Sequence, residues 1–174
     1  ISVSEVFVIV AVQPSFTIPL GVSVGEATVQ INTISPGATI FVSIESSDAT
    51  SMSQTYNPST GLIVNQTRTH VKAFATAPGS VSSPIAVSDA ILVAAISPSI
   101  TPDGGTFLDF AEVTLTSAYA EAKVHYTIDG SDPDLSSPVF EFPIRIQHTG
   151  TVIKAMTTHP LLENSQSSES KTFI

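Results

Sequence analysis

Ala111-Glu112-Val113-Thr114-Leu115 changes from apolar to polar at every step. A period of two places alternate side chains on opposite faces of a strand, so this stretch reads as a half-buried β-strand with Ala111, Val113 and Leu115 inward. Ala27-Thr28-Val29-Gln30-Ile31 carries the same pattern, with Ala27 falling on Ala111 at an offset of 84 residues. The match spreads outward. Ala38 and Ile40 fall on Ala122 and Val124, and Ile44, Ser47 and Asp48 fall on Ile128, Ser131 and Asp132. At the front, the twelve residues from Ser4 to Ser15 read like those from Ser88 to Ser99, Pro14 on Pro98. Repetition at this period indicates one small module used twice.

The 174 residues therefore divide into two small domains rather than one large one. The expected boundaries are 10–93 and 94–174, with 1–9 read as an extension or as the closing strand of a preceding repeat. On that reading the chain is a piece of a longer array. Ala90 to Ile96 is apolar without a Gly- or Ser-rich spacer, which predicts a stiff junction. Val6 to Val12 is too short to span a bilayer and reads as a buried strand.

No window shows helical spacing, and 12 prolines punctuate the chain. Short alternating runs between Pro, Gly, Asn and Asp clusters predict an all-β fold of two antiparallel β-sandwiches in tandem, about seven strands each. In the second unit strands are expected near Ala94–Ile100, Thr106–Leu108, Ala111–Ser117, Lys123–Asp129, Val139–Glu141, Pro143–Gln147, Thr151–Thr158 and Glu169–Ile174. Within them Val124, Tyr126 and Ile128 should face inward, with His125 and Thr127 outward.

Six Lys and Arg stand against fifteen Asp and Glu, a net charge of −9. Such a balance excludes nucleic-acid and anionic-membrane surfaces, which need basic patches. About a quarter of the residues are Ser or Thr and there is no cysteine, so hydroxyls and carboxylates carry solubility. That composition points to an extracellular or cell-surface location.

The second unit reads ISPSITPDGGTFLDFAEVTLTS, then AKVHYTIDGSDPDLSSPVF, TVIKAMTT and a closing SSESKTF. This order resembles the chitobiase/β-hexosaminidase C-terminal domain across Ala94 to Ile174. The resemblance implies a fibronectin-III-like sandwich acting as an accessory, non-catalytic module. The first unit is a degenerate copy, with Glu45-Ser46-Ser47-Asp48-Ala49 in place of Asp129-Gly130-Ser131-Asp132-Pro133.

No catalytic, cofactor or metal residue is assigned. Asp129, Asp132 and Asp134 could offer oxygens to Ca²⁺, but Asp and Gly at this spacing read as turn chemistry. His70, His125, His148 and His159 lack metal-ligand spacing and read as surface or partly buried rings. Lys72 and Lys154 recur at outward positions, which argues against a buried Lys–Asn crosslink. Sugar-binding modules hold a glycan against exposed rings; of the aromatics here, which include Tyr56 and Tyr119, Tyr126 alternates with core positions, and Phe107, Phe110 and Phe140 are equally explicable as packing. Asn65-Gln66-Thr67 makes Asn65 the candidate N-glycosylation site. The expected role is a stiff structural or adhesive spacer whose partners are neighbouring repeats, other surface proteins or glycans. The alternatives are a carbohydrate-binding appendage of a polysaccharide-active enzyme and an assembly module pairing through an edge strand.

Overall fold

A computed structural model describes residues 8–44 and 54–174. Ser4 to Phe7 and the turn Glu45-Ser46-Ser47-Asp48-Ala49 lie outside the described residues. The fold is all-β, and the chain divides into two compact units, Ile1–Leu92 and Val93–Ile174.

In the first unit the strands are β1 (Ser15–Thr17), β2 (Val22–Val24), β3 (Ala27–Asn32), β4 (Thr39–Ile44), β5 (Gln54–Thr55), β6 (Leu62–Val64), β7 (Val71–Thr76) and β8 (Ala86–Val87). One antiparallel sheet has the order β1-β3-β6 and the other β5-β4-β7-β8. The registers pair Val29 with Leu62 and Ala27 with Val64, and run β4 against β7 from Thr39↔Thr76 to Ile44↔Val71. β3 buries Ala27, Val29 and Ile31 and turns Thr28 outward, the alternation its sequence dictates. β9 (Leu92–Ala94) crosses the division between the units.

The second unit contains β10 (Ser99–Thr101), β11 (Ala111–Thr116), β12 (Lys123–Thr127), β13 (Ile144–Ile146), β14 (Lys154–Thr158) and β15 (Ser168–Glu169). Its antiparallel sheets are β10-β11-β13 and β12-β14-β15. Ala111, Val113 and Leu115 from the first sheet share one buried cluster with Val124, Ile153 and Ala155, and Phe173 of the closing segment completes it. Two sheets sharing one apolar interior make a sandwich. Each fully buried Val, Leu or Phe contributes about 1.5–3 kcal/mol, so in a core this small every large side chain counts.

The two units make the same contacts. Ser15 to Thr17 pair with β3 as Ser99 to Thr101 pair with β11, still 84 residues apart. Later, Val29↔Leu62 corresponds to Val113↔Ile144, an offset of 82 on β6 and β13. The lost pair of residues lies in the connection: Asn57-Pro58-Ser59-Thr60-Gly61 in one unit, Glu141-Phe142-Pro143 in the other. From there the sandwich is closed by serines. Ser88 Oγ accepts the Val71 amide at 2.9 Å while Ser88 N donates to Val71 O. Ser170 does the same to Ile153, also at 2.9 Å. Ser83 brackets Ala75 and Ser165 brackets Thr157 in the same way. These four serines are buried, and each hydroxyl supplies the acceptor that a strand end would otherwise lack.

Several expectations are corrected. Val8, Ile9, Val10 and Val12 are exposed and form no strand; Val10 meets Val81 in a single bridge, and only Ala11 is buried. Apolar composition does not bury a segment that pairs along so little of its length. The expected strand Ala94–Ile100 is interrupted, because β9 ends at Ala94 and Pro98, lacking an N–H, precedes β10. Thr106–Leu108 forms no strand, its Phe107 amide donating to Ile174 O beside the bridge of Gly105 to Phe173, and Val139–Glu141 holds only the isolated bridge of Val139 to His125. The closing strand shrinks to β15 plus the bridges of Phe173 to Gly105 and Thr151. His125 is buried rather than outward, and Ile128 is exposed rather than inward. The loop carrying Ser137 brings its carbonyl to 3.0 Å from His125 Nδ1, covering a face that alternation alone assigns to solvent.

Thr157 is fully buried and its Oγ1 has no hydrogen-bond partner among the described residues. The first unit has Ala75 at this position. A buried unpaired hydroxyl costs about 1–3 kcal/mol, so Thr157→Val, which keeps the shape, should stabilise the second unit by about 1 kcal/mol. Urea unfolding should show a higher midpoint at unchanged slope. An unaltered or lower midpoint would mean that the hydroxyl is satisfied.

Candidate functional site: the acidic loop and the exposed faces

The acidic loop leaves β12 and returns along its edge. Asp129 Oδ1 accepts the Ser131 amide at 3.0 Å and its hydroxyl at 2.6 Å. Asp134 Oδ1 accepts the Ser136 amide and hydroxyl at 2.8 and 2.6 Å and the Ser137 amide at 3.0 Å. Both are Asx turns, the side chain imitating a backbone carbonyl two residues on. Gly130 takes the left-handed φ of 78° that the first turn requires. Asp132 points elsewhere, accepting Lys154 Nζ at 2.9 Å, and Glu169 reaches the same ammonium at 3.4 Å. The three carboxylates thus serve three different partners. Among the described residues no group of three or more His, Cys, Asp or Glu is arranged to hold a metal ion.

These bonds set the electrostatics. The Ser131 hydroxyl and amide hold the Asp129 carboxyl below its ordinary pKa, and those of Ser136 do so for Asp134. The Lys171 amide and ammonium lower Asp103, and Asp132 raises Lys154. Lowered carboxylates contribute stability above their unfolded pKa near 4, and lose it as pH falls through the folded values. A raised lysine contributes below about 10.4 and loses its share as pH rises through the folded value. The melting temperature of the second unit should therefore be level between about pH 5 and 9 and decline at both ends. Calorimetry of wild type and Asp134→Asn checks this: the variant should lose part of the acid decline, and identical profiles would contradict the assignment.

The histidines do not converge. His70 Nδ1 lies 2.9 Å from Ser88 O and His125 Nδ1 faces Ser137 O. His148 is exposed, and the His159 ring lies 5.3 Å from that of Tyr119. Lys72 is half-buried on β7 and Lys154 on β14, the latter held between two carboxylates.

Most aromatics are structural. The buried Tyr56 hydroxyl accepts the Ile31 amide and donates to Gln30 Oε1. The Tyr119 hydroxyl accepts the Ile96 amide, and Tyr126, Phe107 and Phe140 pack against the core. Phe110 is partly exposed, but the Arg145 guanidinium lies 4.0 Å above its ring. That cation–π pair escaped sequence reading; its signal is Phe110 just before β11 and Arg145 on β13, opposite Glu112. Asn65 is exposed and follows β6 directly.

No curated protein matches the chain. Among solved structures it is similar to murine CEACAM1b at 10% identity, over 91% of this chain and 99% of that one, with a TM-score of 0.34. Residues 102–170, the greater part of the second unit, match the family model of the chitobiase/beta-hexosaminidase C-terminal domain, an accessory rather than a catalytic module.

Proposed function

We propose that the chain works as two non-catalytic β-sandwich repeats in series, a stiff spacer within a larger extracellular or cell-surface protein. The observation that carries this reading is the junction. Ile91 exchanges both backbone hydrogen bonds with Thr69 in the first unit. Two residues on, Val93 O accepts the Glu163 amide and Ala95 N donates to Glu163 O in the second. Only Leu92 lies between these two sets of bonds, so the chain that connects the units is short, as a spacer without a Gly- or Ser-rich linker requires. The recurring serine brackets and the accessory family matched by residues 102–170 support a repeated module without chemistry of its own. The acidic, hydroxyl-rich composition supports the extracellular placement, with neighbouring repeats of the same parent chain as first partners.

Small-angle scattering of the whole chain tests the spacer. One narrow distribution of maximum dimension is expected; a broad one, as from a jointed pair, would overturn it. A glycan array run on the same preparation addresses the carbohydrate-binding alternative. Specific binding abolished by Phe110→Ala would favour that appendage over the spacer.

A further inference from the structure

The two sheets β1-β3-β6 and β10-β11-β13 end on equivalent edge strands, β6 and β13. Their guards differ. An open edge invites pairing with another chain, and natural sheets blunt it with charge or proline. β13 has both: Pro143 precedes it, and Arg145 is exposed at its centre. β6 has Gly61 where β13 has Pro143, and Ile63, 52% exposed, where β13 has Arg145. The registers confirm the equivalence, since Ile63 lies opposite Thr28 and Arg145 opposite Glu112. Nor can the first unit borrow the proline. Gly61 has a φ of +71°, which a proline ring forbids, and a Cβ there would meet Thr28 Cγ2 at 2.6 Å.

At the next position the contrast reverses. β6 runs straight into exposed Asn65 of Asn65-Gln66-Thr67, and β13 into Gln147-His148-Thr149, which is not an acceptor sequence. We propose that Asn65 carries an N-linked oligosaccharide whose role is to guard the β6 edge, in place of the proline and arginine of the second unit. This rests on the extracellular reading above, because the modification belongs to the secretory route. An oligosaccharyltransferase supplies the reaction from a lipid-diphosphate-linked donor. Asn65 Nδ2 forms the bond to the anomeric carbon, the carbon–oxygen bond to the diphosphate breaks, and the lipid diphosphate leaves with release of the amide proton. The bulky hydrophilic product stands beside the strand end and hinders a second strand from docking.

The experiment has two arms. In the first, the chain is secreted from a eukaryotic host and weighed. One glycan, removable by a peptide N-glycosidase and absent in Asn65→Gln, is expected; the mass of the bare chain would overturn the modification. In the second, unglycosylated chain made in bacterial cytosol is held below its unfolding temperature and followed by light scattering. Ile63→Arg, which imports the other unit's guard, should slow aggregation about three-fold or more, and Arg145→Ile should hasten it. The glycosylated chain should behave like Ile63→Arg, circular dichroism confirming that all are folded. Equal rates for wild type and Ile63→Arg would overturn the guarding role. Failure of the first arm rejects modification at Asn65 and leaves the extracellular spacer standing, whereas failure of the second alone rejects only the purpose of the glycan.

Discussion

Phe173→Ala should destabilise the second unit by about 3–5 kcal/mol, the usual cost of emptying a buried aromatic site. The side chain is 2% exposed, and it joins a cluster fed by β11, β12, β13 and β14. Its ring lies 5.9 Å from that of Phe107, a partly buried neighbour that would lose its partner. The backbone of the same residue bridges to both Gly105 and Thr151, so a core that relaxes toward the void also strains the last pairings of the chain. A domain of about 80 residues has roughly 4–12 kcal/mol of stability in total, so the loss brings the unit close to unfolding. Calorimetry should show a low-temperature transition for the second unit, with the first unit's transition retained. A change under about 1 kcal/mol would mean the core does not depend on this ring.

Gly104→Ala should cost the same unit about 2–4 kcal/mol, for two separable reasons. Gly104 has a φ of +72°, where an L side chain is strained. Its added Cβ would also stand 2.5 Å from the Lys171 carbonyl oxygen and 2.6 Å from its carbon, which are backbone atoms and cannot rotate away. The contact is tight because the neighbouring Asp103 holds the closing segment. Its carboxylate accepts the Lys171 amide at 3.0 Å and pairs with the Lys171 ammonium at 3.2 Å. Gly150→Ala provides the control. Its φ of +91° is also left-handed, but nothing lies within 4 Å of the new Cβ, so only the conformational cost of about 1 kcal/mol should appear. Arg68 occupies the equivalent place in the first unit at a φ of 58°. Equal losses for the two variants would remove the steric argument.

What could be read from sequence was what depends on local pattern. β3 and β11 alternate cleanly because one face meets the core and the other meets water. The same rule failed for β12, where a loop brings Ser137 over His125, a tertiary event that no window of neighbours encodes. It failed again at Val8 to Val12, since hydrophobicity reports what a segment can bury and not whether anything lies against it. The acidic loop was legible as turn chemistry, but the ion pair of Asp132 with Lys154 joins residues 22 apart and was not. The serine brackets were within reach. Ser83 and Ser88 recur at Ser165 and Ser170, but at an offset of 82 residues rather than the 84 that aligns the first half of each unit.

The ladders that meet at Leu92 also bear on how the chain can be cut. Proteases nick exposed, unpaired backbone, and a string of modules is ordinarily severed in its connectors. Here the residues on either side of the seam are engaged, Ile91 with Thr69 and Val93 with Glu163. Digestion should spare the seam and begin at loops inside a module, leaving fragments that still straddle both halves.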